Sequence, residues 1–212
     1  MSESFISTLW NNPKNRRTIK DGLLFAISTI AFHFLYWHTD MNTWLFGPFT
    51  NTVFDFFTNI AYSGGRFLMD NFCDLSYDCY DRNFAFYTES SAGVKTYFAN
   101  MEIVHDCSAI KQLMQFLLIM LLCPNKLWKR LIYFCIGSII LIIANIIRIY
   151  LLTNAFGQDP ASFRFYHDWV ARPMMYVVIF SLWVVWIEFF AYRDSSNKTP
   201  KEQHLTCDAA QE

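Results

Sequence analysis

The chain has 212 residues, 54% of them hydrophobic and 22 of them Phe, and its 17 Lys and Arg almost balance its 18 Asp and Glu. Such a composition suits either a greasy soluble domain or a small membrane protein, and the distribution of apolar residues decides between them. The basic residues gather at the ends of apolar runs and no Gly-rich phosphate loop occurs, which leaves no nucleic-acid partner to expect.

In chain order, residues 1–20 carry Lys14, Arg16, Arg17 and Lys20 and are expected in the cytoplasm. A first span is expected over about 21–38. His38-Thr39-Asp40-Met41 follows it and offers no small-residue cleavage site, so the segment reads as a retained span. Residues 39–106 hold nine acids against three bases and suit the exterior. Within them, Trp44 to Met69 is apolar but broken by Asp55, Asn59, Gly64, Gly65 and Arg66. A crossing there would put a basic cluster on the wrong side, so an amphipathic helix on the outer interface, or packed on the bundle, is expected. Phe84 to Thr88 and Val94 to Phe98 flank a Ser-Ser-Ala-Gly turn and predict a small hairpin, with Asn100 to Val104 as an added strand. Cys73 and Cys79 stand in this insertion either as a disulfide or as two thiols.

Three more spans are expected, over about 107–124, 131–154 and 173–192. Lys126, Lys129 and Arg130 fill the turn after the second, and Arg193, Lys198 and Lys201 follow the last. Four crossings with both termini inside place every basic cluster in the cytoplasm. Residues 193–212 form a polar tail, expected to be disordered. The fold class is therefore an all-α polytopic membrane protein: a bundle of about four transmembrane helices, an interfacial helix and a small extracytoplasmic β-hairpin insertion.

Leu131 to Leu152 reads LIYFCIGSIILIIANIIRIYLL, with Asn145 and Arg148 among hydrocarbon side chains. A guanidinium stays charged, and placing it mid-membrane costs at least about 2.5–3.5 kcal/mol. Such a residue faces a protein interior or a wet cavity and binds something there. Once sidedness is fixed, Cys107 at the start of the second span, Arg148 near the outer end of the third, and His167 in the outer loop from Phe156 to Arg172 converge on one membrane face. A thiol at a helix N-terminus is favoured as thiolate, and Lys111 would add to that. His167 is suited to take the thiol proton and return it to a leaving amine, and Arg148 to stabilise an oxyanion or orient a carboxylate. Asn145 lies three residues from Arg148 on the same helix face; it and Ser108 are expected to touch substrate. His105 and Asp106 are rival partners for Cys107. Glu188, Arg164 and Arg172 read as structural or interfacial groups, with Asp168 balancing the arginines.

Taken together, Cys107-Ser108-Ala109, Ala144-Asn145-Ile146-Ile147-Arg148-Ile149 and Phe165-Tyr166-His167-Asp168 resemble the exosortase/archaeosortase family of membrane cysteine transpeptidases, in a compact bacterial form. The resemblance covers roughly residues 100–190. Two departures stand out: Ala109 replaces the usual glycine after Cys-Ser, and Ala171 stands where a glycine often follows the histidine. The resemblance implies that Cys107 is the nucleophile, His167 the acid/base, and Arg148 the oxyanion-stabilising or orienting group. It implies secreted protein substrates ending in a short motif, a transmembrane helix and a basic cluster, cleaved at the outer face of the inner membrane. No metal-ligand spacing is present and no cofactor is expected. A thiol–disulfide oxidoreductase would need a Cys-x-x-Cys pair, which the chain lacks. The non-enzymatic alternative is an assembly factor or lipid-binding scaffold in which Arg148 and Arg164 hold an anionic head group.

Overall fold

The computed structural model describes residues 13–191 apart from Asp40. The polar C-terminal tail with Cys207 lies outside the described residues. The chain falls into two compact units, Met1–Gly47 and Pro48–Glu212. Over its described residues the first unit is helix α1, Pro13–His38, and the short helix α2, Met41–Phe46.

The second unit begins with α3, Thr50–Phe72. Three antiparallel strands follow, β1 Tyr77–Tyr80, β2 Asn83–Glu89 and β3 Lys95–Glu102, in the order β1-β2-β3. A 3₁₀ turn, His105–Cys107, leads into α4, Ile110–Leu122, which is followed by α5, Leu127–Gln158. The chain then winds through a 3₁₀ turn Pro160–Ser162, one helical turn Phe163–Phe165 and a π-helical turn Tyr166–Ala171 into α6, Arg172–Trp186.

Among the described residues, three helical stretches are long and apolar enough to cross a membrane: Thr18–His38, Leu127–Gln158 and Pro160–Phe190. The chain is thus a membrane protein. α4, the segment expected to span over 107–124, has only 13 helical residues, or about 20 Å of rise. α5 has 32, about 48 Å, against a hydrocarbon layer of about 30 Å. Its two faces divide cleanly. Ile132, Ile136, Ile139, Ile143 and Ile147 are exposed, while Tyr133, Gly137, Leu141, Asn145, Arg148 and Leu152 are buried. That spacing of three and four residues is one helical stripe, so both polar residues turn away from the lipid-facing side.

α5 is the hub, packed against α3, α4 and α6. Among helices in lipid, close packing replaces the hydrophobic effect, and small residues permit it. A Cβ on Gly64 of α3 would lie 2.6 Å from Cδ1 of Ile146, and one on Gly65 would lie 2.8 Å from Cγ2 of Ile149. The glycines that break the apolar pattern of α3 are therefore its contact with α5. α3 itself does not qualify as a span.

The insertion is a three-stranded sheet instead of a hairpin, because Tyr77–Tyr80 pairs with the far side of β2. Asn100, Met101 and Glu102 belong to β3, and no separate strand covers 100–104. The β1–β2 turn holds Asp81 and Arg82 at φ 41° and 64°, as a tight two-residue connection requires. Phe84, Phe86, Met101 and Ile103 of this insertion pack on Ala61, Met69, Ile149 and Leu152 in one buried cluster. Cys73 and Cys79 are separate thiols, and Cys73 Sγ lies 3.5 Å from Asn154 Oδ1.

Candidate functional site

Two short stretches of chain carry the site's centre. Val104 leaves the sheet and the 3₁₀ turn delivers Cys107, whose N–H donates to the Val104 carbonyl at 2.9 Å. Ser108 is buried, and its Oγ accepts from Ile110 N–H at 3.4 Å, closing the start of α4. Ala109 bridges the two elements at φ 64°, ψ 3°, in the left-handed region, and is 1% exposed. A residue other than glycine pays about 1–2 kcal/mol there. The departure from glycine at this position therefore costs backbone strain, a reason distinct from close approach of two backbones.

This turn is held from two sides. Asn145 Nδ2 donates to the Cys107 carbonyl at 2.8 Å. His105 Nε2 lies 3.0 Å from Asp55 Oδ1, and Arg82 Nη1 reaches the same oxygen at 3.0 Å. Those two partners, the His105 bond first, hold the Asp55 carboxyl below its ordinary range. Asp55 thus ties α3, the β1–β2 turn and the Cys107 turn together. The His105 ring also packs on Phe54, so this rival partner of Cys107 is engaged elsewhere. Asp55 was visible in the sequence only as a break in an apolar run.

The Cys107 thiol lies beside the Arg148 guanidinium, close enough for the charge of Arg148 to act on it. Burial nevertheless pushes the thiol above its ordinary range, and Arg148, which pulls the other way, does not overcome it. This corrects the expectation of a thiolate favoured by a helix N-terminus. α4 starts three residues later, beyond the left-handed Ala109, so its dipole does not end on Cys107. Arg148 is 7% exposed and Asn145 is 2% exposed. Among the described residues, Arg148 Nε and Asn145 Oδ1 are buried with no hydrogen-bond partner. A donor and an acceptor left open beside a thiol are costly unless something else comes to use them.

His167 does not stand in a loop. The expected loop from Phe156 to Arg172 is almost wholly helical: α5 runs on to Gln158, and Asp159 Oδ1 accepts from Ala161 N–H at 3.1 Å to start the next turn. His167 sits on the π-turn, stacked on Phe163 and with Nδ1 2.9 Å from Asp168 Oδ1. Asp168 also pairs with Arg172 at 3.3 Å, and the charges of both Arg172 and Arg164 act on its carboxyl, as expected of a group that balances them. The π-turn packs on α5. His167 thus stands on an element packed against the helix that bears Arg148, and its polar partner is Asp168. Between the π-turn and α5 lies a cavity of about 20 Å³ walled by Arg148, Leu151, Leu152, Tyr166, Val170, Ala171 and Met174. Ala171 is buried there.

The arrangement joins a buried thiol, a guanidinium beside it and an amide bonded to the thiol residue's backbone, with an imidazole on the π-turn that packs against α5. A family model described as transmembrane exosortase matches residues 86–186. The chain is exosortase-like over that segment, which contains Cys107, Ser108, Asn145, Arg148 and His167. No curated protein and no solved structure matches the chain.

Proposed function

We propose that this exosortase-like chain is a membrane cysteine transpeptidase, acting on exported proteins that end in a short motif, an apolar helix and a basic cluster. The observation that carries the reading is the place of Cys107 beside the buried Arg148, with Asn145 bonded to the Cys107 carbonyl. His167 removes the thiol proton, and Cys107 Sγ attacks the carbonyl carbon of the scissile bond. Arg148 stabilises the oxyanion, a role that gains strength where water is excluded. His167 then protonates the departing nitrogen as the C–N bond breaks, leaving a thioester on Cys107. An amine acceptor or water resolves the thioester and restores the thiol. Because the thiol starts neutral, the base is required.

Depth along α5 supports the sidedness. Asn145 and Arg148 lie 18 and 21 residues past Leu127, about 27–32 Å of helix. That is one hydrocarbon thickness from the basic turn at Lys126, Lys129 and Arg130. With that turn in the cytoplasm, the site opens at the outer face of the inner membrane, level with the end of a substrate helix.

The test is processing of a co-expressed exported reporter bearing such a C-terminal signal. Wild-type protein is expected to shorten the reporter, and Cys107→Ala to leave it full length at equal expression. Full processing by Cys107→Ala removes the reading and leaves Arg148 to the lipid-binding scaffold alternative.

A further inference from the structure

The cavity between α5 and the π-turn has a feature that the cleavage chemistry leaves unused. It borders Arg148 on one side, and its other walls are aliphatic or aromatic. Its volume of about 20 Å³ exceeds the roughly 10–15 Å³ that one water needs and leaves no space for a side chain of several atoms. Three of its walls are open to the outside of the molecule: Leu151 is 44% exposed, Tyr166 41% and Val170 43%. Leu151 continues the exposed stripe of Ile139, Ile143 and Ile147, which is the lipid-facing side of α5. The slot therefore opens toward lipid, and the guanidinium that borders it also lies beside Cys107.

The π-turn creates this opening. With about 4.4 residues per turn in place of 3.6, it sets Tyr166, Val170 and Ala171 on one cavity wall while His167 follows Tyr166 directly. An ordinary α-helical turn would rotate Tyr166 away from Ala171, five positions on.

We propose that this seam is the substrate's lateral access and its specificity element: an extended segment at the end of the substrate helix enters between Leu151, Tyr166 and Val170, and one backbone carbonyl oxygen occupies the slot beside Arg148. The proposal rests on the transpeptidase reading and adds the route and the selectivity to it. The match is one of complementarity. A buried cation whose Nε–H has no hydrogen-bond partner selects an oxygen, and the apolar rim selects a chain arriving from hydrocarbon. The same dimensions exclude a bulky side chain next to the seated carbonyl, so the substrate residue there is glycine, alanine or serine.

A photo-reactive benzoylphenylalanine placed at Val170 in the full chain, in a Cys107→Ala background that retains uncleaved reporter, reads the contact directly. The same group at Leu121, an exposed residue of α4 outside this cavity, is the control. Ultraviolet light is expected to join the reporter at Val170 at least tenfold more than at Leu121. A reporter that wild-type protein processes but that Val170 fails to capture above the control overturns the seam. Capture at Val170 without processing by wild-type protein keeps the seam and removes the cysteine chemistry. In a second measurement, Val170→Trp is expected to cut processing at least tenfold while methyl methanethiosulfonate still labels Cys107 at the wild-type rate. Processing by Val170→Trp at the wild-type rate sinks the proposal.

Discussion

Asn145 donates from Nδ2 to the backbone carbonyl of Cys107 across 2.8 Å, joining α5 to the turn that carries the thiol. The bond fixes the height of Cys107 against Arg148, one helical turn along α5. Replacing Asn145 with Leu keeps bulk but leaves a carbonyl unpaired, at a cost of about 1–3 kcal/mol. Reporter processing is expected to fall roughly tenfold to a hundredfold, with Cys107 labelled faster by small thiol reagents because its turn is loosened. Wild-type processing by Asn145→Leu would remove the positioning role.

Burial holds the Cys107 thiol above its ordinary range, with Arg148 opposing. The neutral thiol is therefore dominant at pH 7, and the thiolate fraction grows about tenfold per pH unit until pH passes that raised value. The rate of Cys107 alkylation by iodoacetamide should rise along that slope throughout the neutral range. Arg148→Gln removes the lowering influence, so its profile should shift to still higher pH. A plateau below pH 8 in the wild-type protein would contradict the arrangement.

Two histidines flank the site and they should behave differently. His167→Ala is expected to lower processing by about 10²–10⁴-fold, the range for loss of a general acid/base. His105 is bound to Asp55 and packed on Phe54. His105→Ala should therefore lower thermal stability in detergent and leave most of the per-molecule activity. Reversed outcomes in the same reporter assay would transfer the acid/base role to His105.

Ala109 at φ 64° is strained, and its side chain is enclosed. Ala109→Gly relieves about 1–2 kcal/mol of backbone strain and loses about 0.5–1 kcal/mol to chain entropy. A small rise in unfolding temperature is expected. Ala109→Val adds a β-branched residue in the same conformation and should unfold the Cys107 turn. Equal melting of the three proteins would show that the left-handed turn is not maintained.

Gly64 and Gly65 allow α3 to reach α5. Gly64→Val forces at least one methyl group into Ile146 and is expected to lower the unfolding temperature in detergent, together with yield. Pairing Gly64→Val with Ile146→Ala should recover part of the loss, since the second change frees the volume the first one needs.

The inward face of α5 was readable before any coordinates, because Asn145 and Arg148 are three residues apart in a run of Ile and Leu. Periodicity says that they share a face; it says nothing about which neighbour they meet. The π-turn was hidden. Asp159-Pro160 followed by Arg164, His167 and Asp168 looks like a loop by local chemistry, and helix there depends on packing against α5. β1 was missed because four residues reading Tyr-Asp-Cys-Tyr carry too short a pattern to register, and β2 supplies the pairing. The left-handed state of Ala109 left no trace in residue type, since alanine ordinarily favours a helix.

α5 acts as a ruler. The site is fixed about 30 Å along it from the cationic turn, and the sheet sits against its far end, where Phe86 crowds Gly157. A stiff rod of this kind answers a thicker or thinner bilayer by tilting. Reconstitution into lipids of graded acyl-chain length should accordingly give an optimum in turnover, with activity falling on either side as the guanidinium is drawn below the head groups or lifted into water.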